Sequence, residues 1–308
     1  MLYKDLLIKF SSEEKIIDYY IQIRYKGVPQ CPHCGSTKKI CHRRDTPKRF
    51  QCNFCNNSFS IFKNTIFEKS TTPLIDWFYA INLFLNSVKG ISSNHLKKEI
   101  GVTLKCAWLM LKKIRIAMSN SDHEDIFQGI VELDETYVGG KPRRKLNPSP
   151  MFRTNYDQYT YKTPVFGAYE RNTGRLRAKV LHYDDLGRRL SSEQLEQAFN
   201  ELCKDKVIAI TDDYRGYTFL KKDAYKDYSH HIVNHNNKEY SKGNGIHINT
   251  IESLWKLLKN GFYRTYHKIS LKYLQSYVDE FCFRVSNSKN PDIFDTLISQ
   301  TILIKEYG

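Results

Sequence analysis

Four of the eight cysteines fall as two CxxC pairs, Cys31-Pro-His-Cys34 and Cys52-Asn-Phe-Cys55, with 17 residues between them. Two such turns separated by 15–20 residues have the spacing of a tetrathiolate zinc site, in which each turn offers two sulfurs to one tetrahedral ion and the connecting chain closes as a hairpin. The other four, Cys41, Cys106, Cys203 and Cys282, are scattered. This pattern predicts metal binding in a reducing compartment rather than a disulfide framework. His33, His42 and Cys41 lie nearby, but none has a partner at ligand spacing. At the least, zinc staples a short segment that has too little core of its own.

Charge adds a partner class. Lys and Arg exceed Asp and Glu by 48 to 33, a formal net charge of +15. A basic protein most often meets nucleic acid, because neutralising phosphates releases counterions. The excess is concentrated toward the front, where residues 1–125 hold 20 basic and 11 acidic side chains. Within the predicted ribbon, Lys38, Lys39, Arg43, Arg44, Lys48, Arg49 and Lys63 face a single acid, Asp45, and are interleaved with Phe50, Phe54 and Phe59. A basic hairpin with aromatic residues fits a DNA-contacting surface; a purely structural or protein-binding ribbon is the alternative.

Beyond the ribbon, Thr71-Thr72-Pro73 reads as a helix start before an apolar run, with Thr72 as cap and Pro73 in the first turn. Ser92-Ser93-Asn94 opens a short helix that Gly101 breaks, and a second follows with Lys105, Lys112, Lys113 and Arg115. This is the outline of a helix-turn-helix, or of an ordinary helical hairpin. Residues 119–128 are polar and acidic, and read as a linker. From Ile130 the texture becomes α/β: three strands in a meander, with a hairpin at Asn172-Thr173-Gly174, then helix, strand, helix, strand and helix. The expected organisation is an N-terminal helical segment (1–28), the ribbon (29–63), a helix-turn-helix-like segment (70–118), an α/β catalytic domain (126–290) and a C-terminal tail (291–308). No stretch has the length and apolarity of a membrane span or signal peptide. A cytoplasmic protein is expected.

Two acids end apolar strands, Asp134 in IVELDET and Asp212 in KVIAITDD, and strand ends are where open α/β sheets gather ligands. Asn249, Glu252 and Lys256 share one face of the following helix by their three- and four-residue spacing, while Ile251, Leu254, Trp255 and Leu258 look core-like. Converging carboxylates repel by roughly 4 kcal/mol per close pair at an effective dielectric near 20, so such a cluster calls for a cation. Oxygen ligands select Mg2+ or Mn2+, and the matching chemistry is in-line displacement at phosphorus.

VELDETYVGGKPRRK, KTPVFGAYERNTG, ITDDYRGY, VNHNNKEY and IHINTIESLWKLLKNGFYRTYHKIS, in this order, resemble the catalytic domain of the IS1595-type (ISXO2-like) insertion-sequence transposases, and CPHCGS with CNFCNNSFS resembles that family's N-terminal zinc ribbon. The resemblance spans residues 20 to 285. It implies a ribonuclease-H-like mixed sheet, and cleavage and joining of double-stranded DNA at terminal inverted repeats, by a homodimer or larger assembly. It also implies a bacterial setting, nucleoid-associated when DNA-bound. Carried over by position, Asp134 matches the first metal-binding acid, Asp212 the second in preference to Asp213, Asn249 the third, and Lys256 a phosphate contact. Glu252, one turn on, is the competing third ligand. Lys141, Arg143, Arg144 and Lys145 form either a basic flap over DNA or a solvated loop. His235, His247 and His267 have no metal-ligand spacing and read as polar or DNA-adjacent.

No GxxxxGK, complete GxGxxG or GxSxG is present, which excludes the phosphate-loop, dinucleotide and serine-esterase signatures. An inactive relative that only binds DNA and a non-specific Mg2+ nuclease are the rival functions.

Overall fold

The computed structural model describes residues 1–43, 46, 48–119, 127–139, 162–182, 190–234 and 245–301, without the side chains of 204–206. The elements of the front part are α1 (Tyr3–Lys9), α2 (Glu13–Tyr25), β1 (Ile40–His42), β2 (Arg49–Cys52), β3 (Ser58–Ser60), α3 (Leu74–Leu85), α4 (Ser93–Ile100) and α5 (Leu104–Ser119). Then follow β4 (Phe127–Val138), β5 (Thr163–Glu170), β6 (Arg175–Val180), α6 (Ser192–Leu202), β7 (Cys203–Thr211), β8 (Ser229–Ile232), α7 (Asn249–Gly261), α8 (Leu271–Ser286) and α9 (Ile293–Gln300). The chain divides into two compact units, Met1–Ser121 with Lys289–Gly308, and Asp122–Ser288.

In the first unit, an antiparallel sheet β1-β2-β3 is joined to a helical core. Ser12 caps α2 and Ser92 caps α4, each accepting a backbone N–H three residues on. Gly101 ends α4 in the left-handed region, and Thr103 caps the start of α5 through the Cys106 N–H at 3.2 Å. The start of α3 differs from expectation. Pro73 itself is the cap residue and Thr72 turns its hydroxyl to Cys106 Sγ at 3.5 Å. The expected C-terminal tail instead brings α9 into this unit, because Phe294, Leu297 and Ile298, at helical spacing, are all buried. Phe294 meets Phe78 with ring centroids 5.7 Å apart, and Phe78 meets Phe10 at 4.8 Å.

The second unit is a five-stranded mixed sheet in the order β6-β5-β4-β7-β8. β4, β5 and β6 pair antiparallel, while β7 joins β4 and β8 joins β7 in parallel. The alternation along β4 separates two cores. Val131 and Leu133 pack with Leu195, Phe199, Tyr217 and Phe219 on one face. Val138 and Ile130 join Ile251, Trp255, Leu258 and Val278 on the other. α6 is held by a full capping box between Ser191 and Gln194.

α8 also blunts the β6 edge. Gln275 accepts from Val180 N at 2.7 Å and donates to Ala178 O at 3.0 Å, while Ser286 Oγ accepts from Leu176 N at 3.0 Å. Gln275 donates as well to Asp279 Oδ1 at 2.7 Å, although burial drives the Asp279 carboxyl up to about 6. A carboxyl raised in the fold stabilises while neutral, and that contribution is lost as pH rises through its folded pKa. Asp279→Asn, which keeps the acceptor, is therefore expected to stabilise the protein at pH 8 by about 1–2 kcal/mol. Thermal melts at pH 4 and pH 8 check this, since the gain should vanish at the lower pH.

Candidate metal centre and candidate active site

The cysteine turns are built alike. Cys31 N donates to Ser36 O at 2.9 Å and Cys52 N donates to Asn57 O at 3.0 Å. The residue after each second cysteine is left-handed, Gly35 with φ 71° and Asn56 with φ 56°. Glycine and asparagine are the residue types that tolerate this conformation. Cys31 and Cys55 sulfurs lie 3.7 Å apart, as do those of Cys34 and Cys52, and all four fall within 4.8 Å of one another. A tetrahedron of sulfurs about 2.3 Å from zinc has edges of about 3.8 Å, so these four cysteines can hold that ion. Backbone and side-chain amides of Asn57 donate to Cys55 and lower its thiol pKa, while the neighbouring sulfurs raise that of Cys34, so the four titrate as one group. Cys41 instead accepts from Asn53 at 3.2 Å, and His42 stacks on Phe50 with centroids 4.7 Å apart.

The basic residues of the first unit divide by what holds them. Lys38 and Lys39 are exposed on the ribbon, as are Arg49, bonded to Ser58 at 3.1 Å, and Lys105 on α5. Lys48 pairs with Glu13 at 3.0 Å. Arg43 is half-buried, and Lys112 lies 5.8 Å from the Trp108 ring centroid. Lys113 donates to Ile66 O at 3.0 Å and Glu68 O at 3.4 Å, and Arg115 is buried 5.2 Å from the Phe84 ring centroid. Those two therefore secure α5 to its own unit. Arg44, Lys141, Arg143, Arg144, Lys145 and His235 lie outside the described residues.

In the second unit, Asp134 stands on the α7 face of β4, opposite Gly167 of β5. Asp212 follows β7, the neighbour on the other side, and accepts from Tyr214 N at 3.0 Å. Burial is the largest influence on Asp134, followed by the charges of Asp212 and Glu252, and together they push its carboxyl up to about 7. The Trp255 indole N–H closes no hydrogen bond among the described residues, yet it lies close enough to favour the ionised Asp134. Glu135, on the other face, is driven well above the carboxylate range by burial and by the same two aspartates. Asp213 and Asn249 are exposed, as is Lys256. Glu252, half-buried on α7, is a group whose charge reaches Asp134, as Lys259 of the same helix is, whereas Asn249 carries no charge. Among the described residues, the four cysteines are the group of three or more His, Cys, Asp or Glu whose ligand atoms close to within 4.8 Å; no three of the acids do so.

What fixes α7 over β4 escapes the sequence. Glu132, fully buried, accepts the Ile251 N–H at 3.0 Å and so caps the helix from a neighbouring strand. Its other oxygen takes Arg171 Nε at 2.7 Å, and Arg171 in turn holds the carbonyls of Gly245 and His247. Period-2 alternation placed Glu132 on the Asp134 face, but helix capping across 119 residues leaves no local signal. Gly167 is the second such device. A Cβ there would stand 2.4 Å from Trp255 Cη2, so only glycine lets the indole reach the sheet beside Asp134. Gly167→Ala is expected to displace α7 and destabilise the unit by about 1–3 kcal/mol. A red-shifted, less cooperative tryptophan unfolding transition is the readout, and an unchanged melt would contradict this packing.

Asp134 inside β4, Asp212 just after the neighbouring β7 and Glu252 on α7 in one unit, and a basic four-cysteine ribbon elsewhere in the same chain, suit a nucleic-acid-processing protein. The ISXO2-like transposase domain model matches residues 126–286, and the transposase zinc-ribbon domain model matches residues 11–58. The chain belongs to the ISXO2-like transposase family of the IS1595 group. It is also similar to an uncharacterized protein in transposable element ISH50 of Halobacterium salinarum, 28% identical over 254 residues that cover 79% of this chain and 81% of that one. No helix among the described residues is long and apolar enough to cross a membrane.

Proposed function

We propose that this protein cuts and joins DNA strands at terminal inverted repeats, with Asp134, Asp212 and Glu252 as the acids of the reaction centre and Asn249 beside them at its mouth. The observation that carries the reading is the placement of Asp134 on the α7 face of β4, where burial first and then the charges of Asp212 and Glu252 raise its carboxyl to about 7. The oxygen-only donors of such a set fit Mg2+ or Mn2+. When bound, the ion supplies the positive charge that activates an attacking oxygen and stabilises the leaving one. The chain's own part is placement. Glu132 and Arg171 set α7 against β4, Gly167 admits Trp255, and Trp255 screens Asp134 from water on one side. Lys256, exposed on the same helix, is suited to a DNA phosphate.

The sheet supports a ribonuclease-H-like reading, since a three-strand meander is extended by two parallel strands on the side of its first strand. The Gly101 turn between α4 and α5 supports a helix-turn-helix, with Lys105 and Lys112 on its second helix. Zinc in the ribbon is read as structural, holding Lys38, Lys39, Arg43, Lys48 and Arg49 toward DNA. Assembly as a homodimer on paired ends, in the cytoplasm, is part of the same proposal.

The test is a Mg2+ cleavage and joining assay with the zinc-loaded full chain on the DNA ends that flank its gene. Cleavage followed by joining to a second duplex is expected. Cleavage without joining would leave a nuclease, and binding without cleavage an inactive relative. Glu252→Ala is expected to abolish cleavage, and Asn249→Ala to slow it by about tenfold or less; the reverse order would return the third position to Asn249.

A further inference from the structure

Three contacts fix how α7 lies on the sheet. Ile251 N meets Glu132, Trp255 sits on Gly167, which pairs with Asp134, and Tyr263 Oη donates to Gly139 O at 3.0 Å. The helix, with its π-turn continuation Phe262–Tyr266, therefore runs in the direction of β4. Residues between Trp255 and Tyr263 lie along the last residues of that strand. β5 enters at the same place, with Thr163 opposite Val138, so Lys162 stands at that end of the sheet.

Lys259 is the basic residue that α7 sends there. Asn249, Glu252, Lys256 and Lys259 follow one another at offsets of three, four and three, which keeps them within a sector of about 80° on the helix. Ile251, Trp255, Leu258 and Phe262 form the buried stripe next to it. Lys259 and Glu252 border that stripe and are half-buried, whereas Lys256 and Asn249 lie farther round and are exposed. Neither Lys162 nor Lys259 closes an ion pair or hydrogen bond with another described residue. Burial first, and then the charge of Lys162, lower the Lys259 pKa, while Asp134 raises it, so this ammonium stands within the fields of both.

Two cations converging at a strand end, one of them half-buried, cost free energy that an anion between them offsets. We propose that Lys162 and Lys259 form a phosphate-binding site beside Asp134, taking a backbone phosphate of the DNA strand that is being cut. This rests on the reading of Asp134 as part of the reaction centre. The site differs from the contact expected of Lys256, which is exposed and farther from the sheet. It joins two elements, and so ties a phosphate to the last residues of β4, which follow Asp134 along the strand.

The experiment uses the zinc-loaded full chain and a duplex carrying the DNA end that flanks the gene. Lys162→Gln, Lys259→Gln, Lys259→Arg and Asp134→Asn are compared with the wild type. Binding without divalent cation is measured against salt, and cleavage in Mg2+ is measured at saturating DNA. Each glutamine variant is expected to reduce the slope of log affinity against log salt by about 0.9. Each is also expected to slow saturated cleavage about tenfold or more, with Lys259→Arg near wild type. Lys162 is exposed at a strand start, so its variant separates phosphate binding from any folding defect at Lys259. Unchanged slopes and rates for both glutamine variants, with Asp134→Asn inactive, would overturn the phosphate site and leave the reaction centre standing. Normal cleavage by Asp134→Asn would overturn both.

Discussion

Asp134→Asn is expected to lower strand cleavage by on the order of 10³-fold, to leave DNA binding intact, and to raise the melting temperature of the magnesium-free protein at pH 8. The opposite signs come from one cause. The Asp134 carboxyl is raised to about 7 by burial and by the charges of Asp212 and Glu252. Raised in the fold above its unfolded value, it stabilises while neutral, and that contribution is lost as pH climbs through 7. Above that pH the wild-type site holds mutually repelling carboxylates, which the amide relieves by about 1–3 kcal/mol, allowing for the partial solvent access of the group. Magnesium should reverse the order, stabilising the wild type at pH 8 more than the variant. Melts at pH 5.5 and 8, with and without magnesium, beside a cleavage assay, check all of this. If the variant is less stable than wild type in the metal-free state at pH 8, the acids are not in electrostatic conflict.

That conflict is legible in residue types because both aspartates follow apolar runs, which is local information; the expectation that both stand at strand ends fails for Asp134, because β4 runs on to Val138 in its pairing with β5. The cysteine centre was readable for the same reason: each turn is a four-residue pattern, and its left-handed exit is written as Gly35 and Asn56. Asn249 and Glu252 were placed on one face by their spacing, but which of them turns toward Asp134 depends on how α7 rotates against the sheet. Trp255 on Gly167 and Ile251 on Glu132 set that rotation, through pairs 88 and 119 residues apart. Such contacts have no periodic trace in a single chain. Basic residues were misleading in a different way. Lys113 and Arg115 read like the other cations of α5, yet one is spent on Ile66 and Glu68 carbonyls and the other is buried on Phe84. α9 was read as tail because one short turn of Phe294, Leu297 and Ile298 is too little pattern to distinguish from a loop until its partners are known.

Removing zinc is expected to unfold the ribbon while sparing the α/β unit. Between Cys31 and Ser60 the buried apolar residues are Phe50 and Phe59 together with Cys31 and Cys52, two of the ligands themselves. Two aromatic side chains stabilise by a few kcal/mol when buried, far less than the conformational entropy of about 30 residues. Bound zinc contributes an apparent 10–16 kcal/mol or so in small zinc-dependent folds, enough to decide whether this one forms. Strong chelation, or Cys52→Ser, should therefore release one zinc per chain and abolish amide protection in β1, β2 and β3. The sheet β6-β5-β4-β7-β8 has its own two cores and should keep its melting transition. DNA affinity should fall with the ribbon, because Lys38, Lys39, Arg43, Lys48 and Arg49 are then no longer presented by an ordered hairpin. Stoichiometric zinc and undiminished protection in Cys52→Ser would show that three cysteines and another ligand suffice. Equal loss of protection in β4 and β7 would mean instead that the ribbon's stability is shared with the α/β unit, so hydrogen exchange resolved by segment is the measurement that separates a local staple from a global one.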